Sequence, residues 1–283
     1  MCTALIAYRS IAGFELVVAH NRDEFYRRPA RPAEFWPDRQ SILAGRDLES
    51  DGTWLGVSRS AKVGLVTNYR MDTDHALSGV SRGSLVPGYL TGTQTSLQYA
   101  RHIHRERDRY RPFSAIFFDS HGCHFVSSHS ADLQAIAPGF HGLSNHLLNT
   151  PWPKVTEGIA RLRSLGQHMS SRQDPDHLVQ TLLDYLRHPQ PTDGTAFNSS
   201  RSVEQMSAGP ENRNPQFRAV QSSAAHDPRS LVFQCTGEYG TRASTVICVT
   251  QHGLVRFAEH CWDASGALAA QRNHQWELIK DAN

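Results

Sequence analysis

The chain has 283 residues, with 29 basic and 27 acidic side chains and a formal charge of +2. A charge so close to balance leaves no electrostatic footprint for nucleic acid or an anionic membrane surface, and the length suffices for one large domain or two small ones. The five cysteines form no C-x-x-C pair, which excludes a zinc ribbon, an iron–sulfur centre or a disulfide scaffold.

The N-terminal Thr3–Tyr8 run has no basic region ahead of it. No stretch nears the roughly 18 apolar residues of a membrane helix. The expectation is a cytoplasmic protein with free thiols and no membrane span. Thr3–Tyr8 and Phe14–His20 are apolar or β-branched and flank a turn ending in Gly13, which predicts an opening β-hairpin. Pro29, Pro32 and Pro37 then predict irregular backbone. Thr53–Ser58 and Lys62–Asn68 form a second hairpin, and Gly56 and Gly64 inside its strands predict close approach of another layer or a ligand. Helical spacing follows at Ser84–Leu90 and Ser96–Ile103, then a strand pair at Phe113–Asp119 and His124–Ser128 and a short strand at Phe140–Asn145.

Pro153–Leu165 and Asp176–Arg187 are the clearest helices. The second is preceded by Asp174 as N-cap and Pro175 at the first helical position. The texture turns polar between Pro189 and Arg229, a surface insertion in one domain spanning 1–283. Strands resume at Leu231–Cys235, Ala243–Thr250 and Leu254–His260, and Asn273–Ile279 closes the chain as a strand or helix. Strands and helices arriving in runs suit a layered α+β domain of antiparallel hairpins.

Chemistry concentrates at strand ends. Met before a small residue is commonly removed, which would leave Cys2 as the N-terminal residue. An α-amine with a pKa of about 7.7–8.0 can then serve as base for its own thiol. The alternative reading is a small residue starting a strand. Asn21-Arg22-Asp23-Glu24 follows the second predicted strand, and the hairpin returns it to the neighbourhood of Cys2. A carboxylate there can hold an ammonium, and an arginine can hold a substrate carboxylate. Asn68 and Asn145 each end a strand and can donate to an oxyanion. Arg242 sits in a tight loop before another strand. Each of these is also compatible with an ordinary turn. The sixteen histidines show no metal-binding spacing, and no nucleotide or serine-hydrolase motif is present.

Together, Met1-Cys2, Asn21-Arg22-Asp23-Glu24-Phe25, Gly45-Arg46-Asp47, Gly52-Thr53-Trp54-Leu55-Gly56, Thr67-Asn68-Tyr69, Ser81-Arg82-Gly83, Gly142-Leu143-Ser144-Asn145 and Tyr239-Gly240-Thr241-Arg242 resemble the Transport and Golgi organisation 2 family. That family is also called NRDE after its tetrad. The blocks run in order over nearly the whole chain, and 189–229 carries least of them.

The resemblance implies a four-layer αββα sandwich of antiparallel sheets, like that of N-terminal nucleophile hydrolases. Against choloylglycine hydrolases, Cys2 matches the nucleophile and Asp23 the residue that orients its amine. Asn68 and Asn145 match the asparagines near the oxyanion, and Arg242 a late arginine beside the nucleophile. Their motif arginine falls on His20, and Arg22 could substitute for it. Asn21, Arg22 and Trp54 are the expected substrate contacts.

The resemblance thus implies an amidohydrolase for a small organic substrate, acting on a linear C–N bond, with no cofactor and no metal. It also allows a non-catalytic carrier of haem or an acyl lipid in the same cleft, linked to secretory organisation, with a histidine as axial contact to haem. An adaptor recruiting a partner through the insertion is the third alternative. Oligomeric state has no signature in the sequence.

Overall fold

The computed structural model describes residues 2–71, 79–169, 174–188 and 232–278. Met1 and the 189–229 insertion lie outside the described residues. Strands β1 (Thr3–Tyr8) and β2 (Phe14–Phe25) pair as the expected antiparallel hairpin, with Thr3 opposite Asn21 and Tyr8 opposite Leu16. β2 outlasts its apolar run. It continues through Asn21–Phe25 because β12 (Tyr239–Thr250) pairs along its length. The polar tetrad therefore lies inside a strand and not after one.

The proline-rich stretch is a second correction. β3 (Ala30–Trp36) and β4 (Arg39–Asp47) form a hairpin there. The prolines are tolerated because β3 is a sheet edge, Pro32 falls in the register break between Arg31 and Glu34, and Pro29 and Pro37 flank the strand.

The first sheet runs β10 (Gly139–Leu143), β1, β2, β12, β13 (Leu254–Trp262), β14 (Leu268–Glu277), with the two-residue β11 (Cys235–Thr236) beside β12. The strand expected at 231–235 shrinks to that pair. The Val232 carbonyl accepts from the Asn21 amide instead of joining a ladder. Residue 231 is outside the described range. The closing element is a strand, β14. The second sheet runs β3, β4, β5 (Leu55–Ser58), β6 (Val63–Asn68), β7 (Phe113–Asp119), β8 (Gly122–Ser127), β9 (Gln134–Ala135).

Strand periodicity of two sorts the side chains into layers. Ala4, Ile6, Leu16 and Val18 meet Leu43, Leu55, Leu65 and Ile116 between the sheets. Leu5, Ala7, Val17 and Ala19 face outward onto Leu162 of α3 (Pro153–His168) and Leu178, Leu182 and Leu186 of α4 (Pro175–Arg187). Ala44, Val66, Ala115 and Phe117 cover the other outer face with Val86 and Tyr89 of α1 (Leu85–Thr91) and Ile103 of α2 (Ser96–Arg105). The result is helix, sheet, sheet, helix, an αββα sandwich.

Gly56 and Gly64 let α1 sit down on the second sheet. A Cβ at Gly56 would lie 3.0 Å from Leu90, and one at Gly64 would lie 3.1 Å from Val86. Asp174 caps α4 by accepting from the Asp176 N–H, and Pro175 begins the helix. The antiparallel registers bring the start of β1 and the ends of β2, β4 and β6 to one end of the sandwich.

Candidate functional site

A cavity of about 130 Å³ opens at that end. Cys2 at the start of β1, Arg22, Asp23 and Glu24 of β2, and Asp47 of β4 line it. So do Thr53 and Trp54 before β5, Val66–Asn68 of β6, Arg28, Arg82 and Arg111. Among the described residues no histidine lines it, so the axial histidine that the haem alternative allows is not found here. No group of three or more His, Cys, Asp or Glu side chains among the described residues is arranged to hold a metal ion.

Cys2 is half-buried, its Sγ 3.7 Å from the Asp23 carbonyl oxygen. Ser144 fixes it from the other side, donating from Oγ to the Cys2 carbonyl at 2.6 Å. Burial pushes the thiol above its ordinary value and the Asp23 charge adds to that, against the smaller lowering by the Asp23 backbone contact and the Arg22 charge. The resting group near neutral pH is therefore the thiol. Asp23 is buried, and its carboxylate accepts from Thr241 Oγ1 at 2.7 Å. The Tyr239 hydroxyl donates to its backbone oxygen at 3.2 Å.

Arg22 sits over the Trp54 ring, its guanidinium carbon 4.2 Å from the ring centroid, and donates to Asp47 at 2.9 Å. Gly45 makes room for this stack, because a Cβ there would collide with the Trp54 ring. Asp47 is the hub. Arg28 donates to both its oxygens, at 2.6 and 3.0 Å, and the Glu49 and Ser50 N–H groups cap it. Burial opposes ionisation at Asp47. The Arg28 and Ser50 hydrogen bonds and the Arg28 and Arg22 charges outweigh it and hold the carboxyl below its ordinary value.

Asn145 is fully buried and donates to Asn68 Oδ1. That bond occupies the oxygen end of the Asn68 amide and leaves Nδ2 as the group Asn68 can present. The same Ser144 Oγ lies 3.3 Å from Asn145 Oδ1, sharing its one proton with the shorter bond to Cys2, so one chain of contacts links Cys2, Ser144, Asn145 and Asn68.

A family model described as Transport and Golgi organisation 2 matches residues 1–264. The chain belongs to the Transport and Golgi organisation 2 family. It is 34% identical over 258 residues to the mouse Transport and Golgi organization 2 homolog, covering 87% of this chain and 86% of the mouse protein. The human homolog is 34% identical over 256 residues, with the same coverage of 87% and 86%. Among solved structures, the Caenorhabditis elegans N-acylethanolamine-hydrolyzing acid amidase ortholog is similar with a TM-score of 0.46 at 11% identity. That match covers 87% of this chain and 92% of that one.

In this Transport and Golgi organisation 2 member, three expected site residues do not line the cavity: Asn145 is buried behind Asn68, and Asn21 and Arg242 lie elsewhere. Asn21 faces the helix layer. Its amide donates to the Leu186 and Val232 carbonyls at 2.9 and 2.8 Å and accepts from Ser244 at 2.6 Å. Arg242 does not line the cavity. It gathers the Phe25, Tyr26 and Arg28 carbonyls, at 3.0, 3.1 and 3.1 Å, and so fixes the turn that carries Arg28 toward Asp47.

Five contributors escaped the sequence reading as site residues: Asp47, Arg82, Ser144, Arg28 and Arg111. The first three stood inside family blocks of Transport and Golgi organisation 2, so their signal was available. Arg111 carried none.

Gly52 explains another pairing of blocks. Its Cα abuts the Gly83 backbone so closely that a Cβ would collide with the Gly83 carbonyl. The Thr53 N–H donates to that carbonyl at 3.0 Å. Gly52→Ala is therefore expected to displace the 81–83 turn and cost about 1–3 kcal/mol. Urea unfolding checks the stability, and cysteine alkylation kinetics check whether the cavity mouth has changed.

Proposed function

We propose that the protein is an N-terminal-cysteine amidohydrolase that cleaves a linear C–N bond of a small organic substrate. The observation that carries the reading is the position of Cys2 in a cavity with Asp23, next to the Asn68–Asn145 pair. Removal of Met1 gives Cys2 a free α-amine. That amine takes the Sγ proton, and the thiolate attacks the amide carbon. The Asn68 amide donates to the oxyanion as it develops. The tetrahedral adduct collapses, the C–N bond breaks, and the α-ammonium gives its proton to the leaving amine. Water, deprotonated by the same amine, then hydrolyses the thioester and releases the acid.

Because burial disfavours the thiolate, the thiol needs a base within reach, and among the described residues no histidine lines the cavity. The α-amine meets that need, and the Asp23 carboxylate balances the ammonium when it forms. Arg22 is committed to Asp47 and Trp54, which makes it a positioning residue of the cavity wall.

The test is the mass of the intact purified protein with site-resolved alkylation. The mass should lack one methionine residue, and iodoacetamide should modify Cys2 ahead of the buried Cys123 and Cys248. Retention of Met1 overturns the mechanism, because the base is then on the wrong residue.

A further inference from the structure

Among the described residues, four guanidinium groups line the cavity, against three carboxylates. The pairing is uneven. Asp47 takes both Arg22 and Arg28. Glu24 lies 3.9 Å from Arg28, and Glu49 lies 2.8 Å from it. Arg82 and Arg111 make no side-chain ion pair or hydrogen bond among the described residues, and the Arg111 Nε is buried with no acceptor.

The backbone sets these two arginines beside each other. Val80 and Tyr110 form an isolated bridge: the Val80 N–H donates to the Arg109 carbonyl at 2.9 Å, and the Arg111 N–H donates to the Val80 carbonyl at 3.0 Å. Two residues beyond Val80, the 81–83 turn is pinned to Thr53 through the Gly83 carbonyl at 3.0 Å. Burial lowers the Arg82 pKa from its ordinary value; the Cys2 and Glu24 charges oppose that shift, and the nearby Arg28 and Arg111 charges add to it. Crowded cations drawn out of water, with no side-chain ion pair among the described residues, leave a seat for an anion.

We infer that the ligand of this cavity carries a carboxylate or phosphate group, seated on Arg82 and Arg111 within reach of Cys2. The inference names the substrate class of the hydrolase reading and rests on it for taking this cavity as the substrate site. An amide substrate would thus be an anionic one, held by its charged group while its amide lies at the thiol.

Alkylation kinetics test the seat without requiring turnover or Met1 removal. Iodoacetate carries a carboxylate and iodoacetamide does not, while both alkylate the same sulfur. The ratio of their rates at Cys2 is expected to exceed the ratio at the exposed Cys235 by about tenfold. In Arg82→Gln and Arg111→Gln it should fall, and in the double variant it should reach the Cys235 value. Inorganic phosphate and acetate serve as competitors against iodoacetamide. Saturable protection by phosphate alone assigns a phosphate, and by acetate alone a carboxylate; protection by both supports the shared seat.

A wild-type ratio at Cys2 no higher than at Cys235, or protection by neither anion, overturns the inference even if the variants fail to fold. A high ratio in a chain that retains Met1 keeps the anion seat and removes the hydrolase mechanism. A low ratio in a chain that has lost Met1 does the reverse.

Discussion

Cys2→Ala is expected to lower kcat on any amide the protein hydrolyses by about a millionfold, the scale of losing a covalent nucleophile. KM should move little, because Asp47, Trp54 and the arginines that shape the cavity remain in place. The measurement is steady-state release of chromophore from a panel of acyl p-nitroanilides, with and without an acidic group on the acyl chain. A second variant separates this mechanism from that of an ordinary cysteine. Inserting one glycine between Met1 and Cys2 keeps the thiol but moves the amine one residue away. Loss comparable to Cys2→Ala supports the amine as base. Retained turnover would place the base elsewhere and sink the N-terminal mechanism.

The Cys2 neighbourhood was legible because a hairpin has few degrees of freedom. Once Thr3–Tyr8 and Phe14–His20 pair, Asn21 must return beside Thr3. Gly56 and Gly64 were legible for a similar reason: glycine in a strand marks close approach, and α1 is what approaches. The tetrad itself was misread as one patch. Period two sends its neighbours to opposite faces of β2, so Asn21 holds α4 while Arg22 stacks on Trp54. A motif string does not say which members serve the fold.

Arg242 shows a related limit. The register of β12 against β2 shifts between Thr241 and Ala243, and Arg242 lies within that irregularity. No local pattern announces the bulge. The prolines of β3 were misread because their tolerance depends on the strand being an edge, which is a property of the sheet and not of the segment. Arg82 and Arg111 meet through the Val80–Tyr110 bridge between segments some 30 residues apart. Charge composition could not locate them, since a net charge of +2 averages away a local cationic pair.

Asp47→Asn is expected to destabilise the protein by about 3–5 kcal/mol, the cost of leaving a buried charge without its partner. Asp47 is only 7% exposed and compensates both Arg22 and Arg28. The asparagine oxygen can still accept from the Glu49 and Ser50 N–H groups, so the local turn is kept and the loss reports on charge. Urea denaturation at neutral pH gives the difference, and Asp47→Ala should be worse because the turn loses its cap as well. The effect also has a defined pH signature. The folded-state pKa of Asp47 is depressed, so its contribution is complete above the unfolded carboxyl value of about 3.9. It fades as pH falls through the folded value, when the wild-type carboxyl takes up its proton. The stability gap between wild type and Asp47→Asn should therefore be constant near neutrality and narrow below about pH 4. A gap that stays unchanged into acid would mean that Asp47 acts through shape and not through the charge it sets against Arg22 and Arg28.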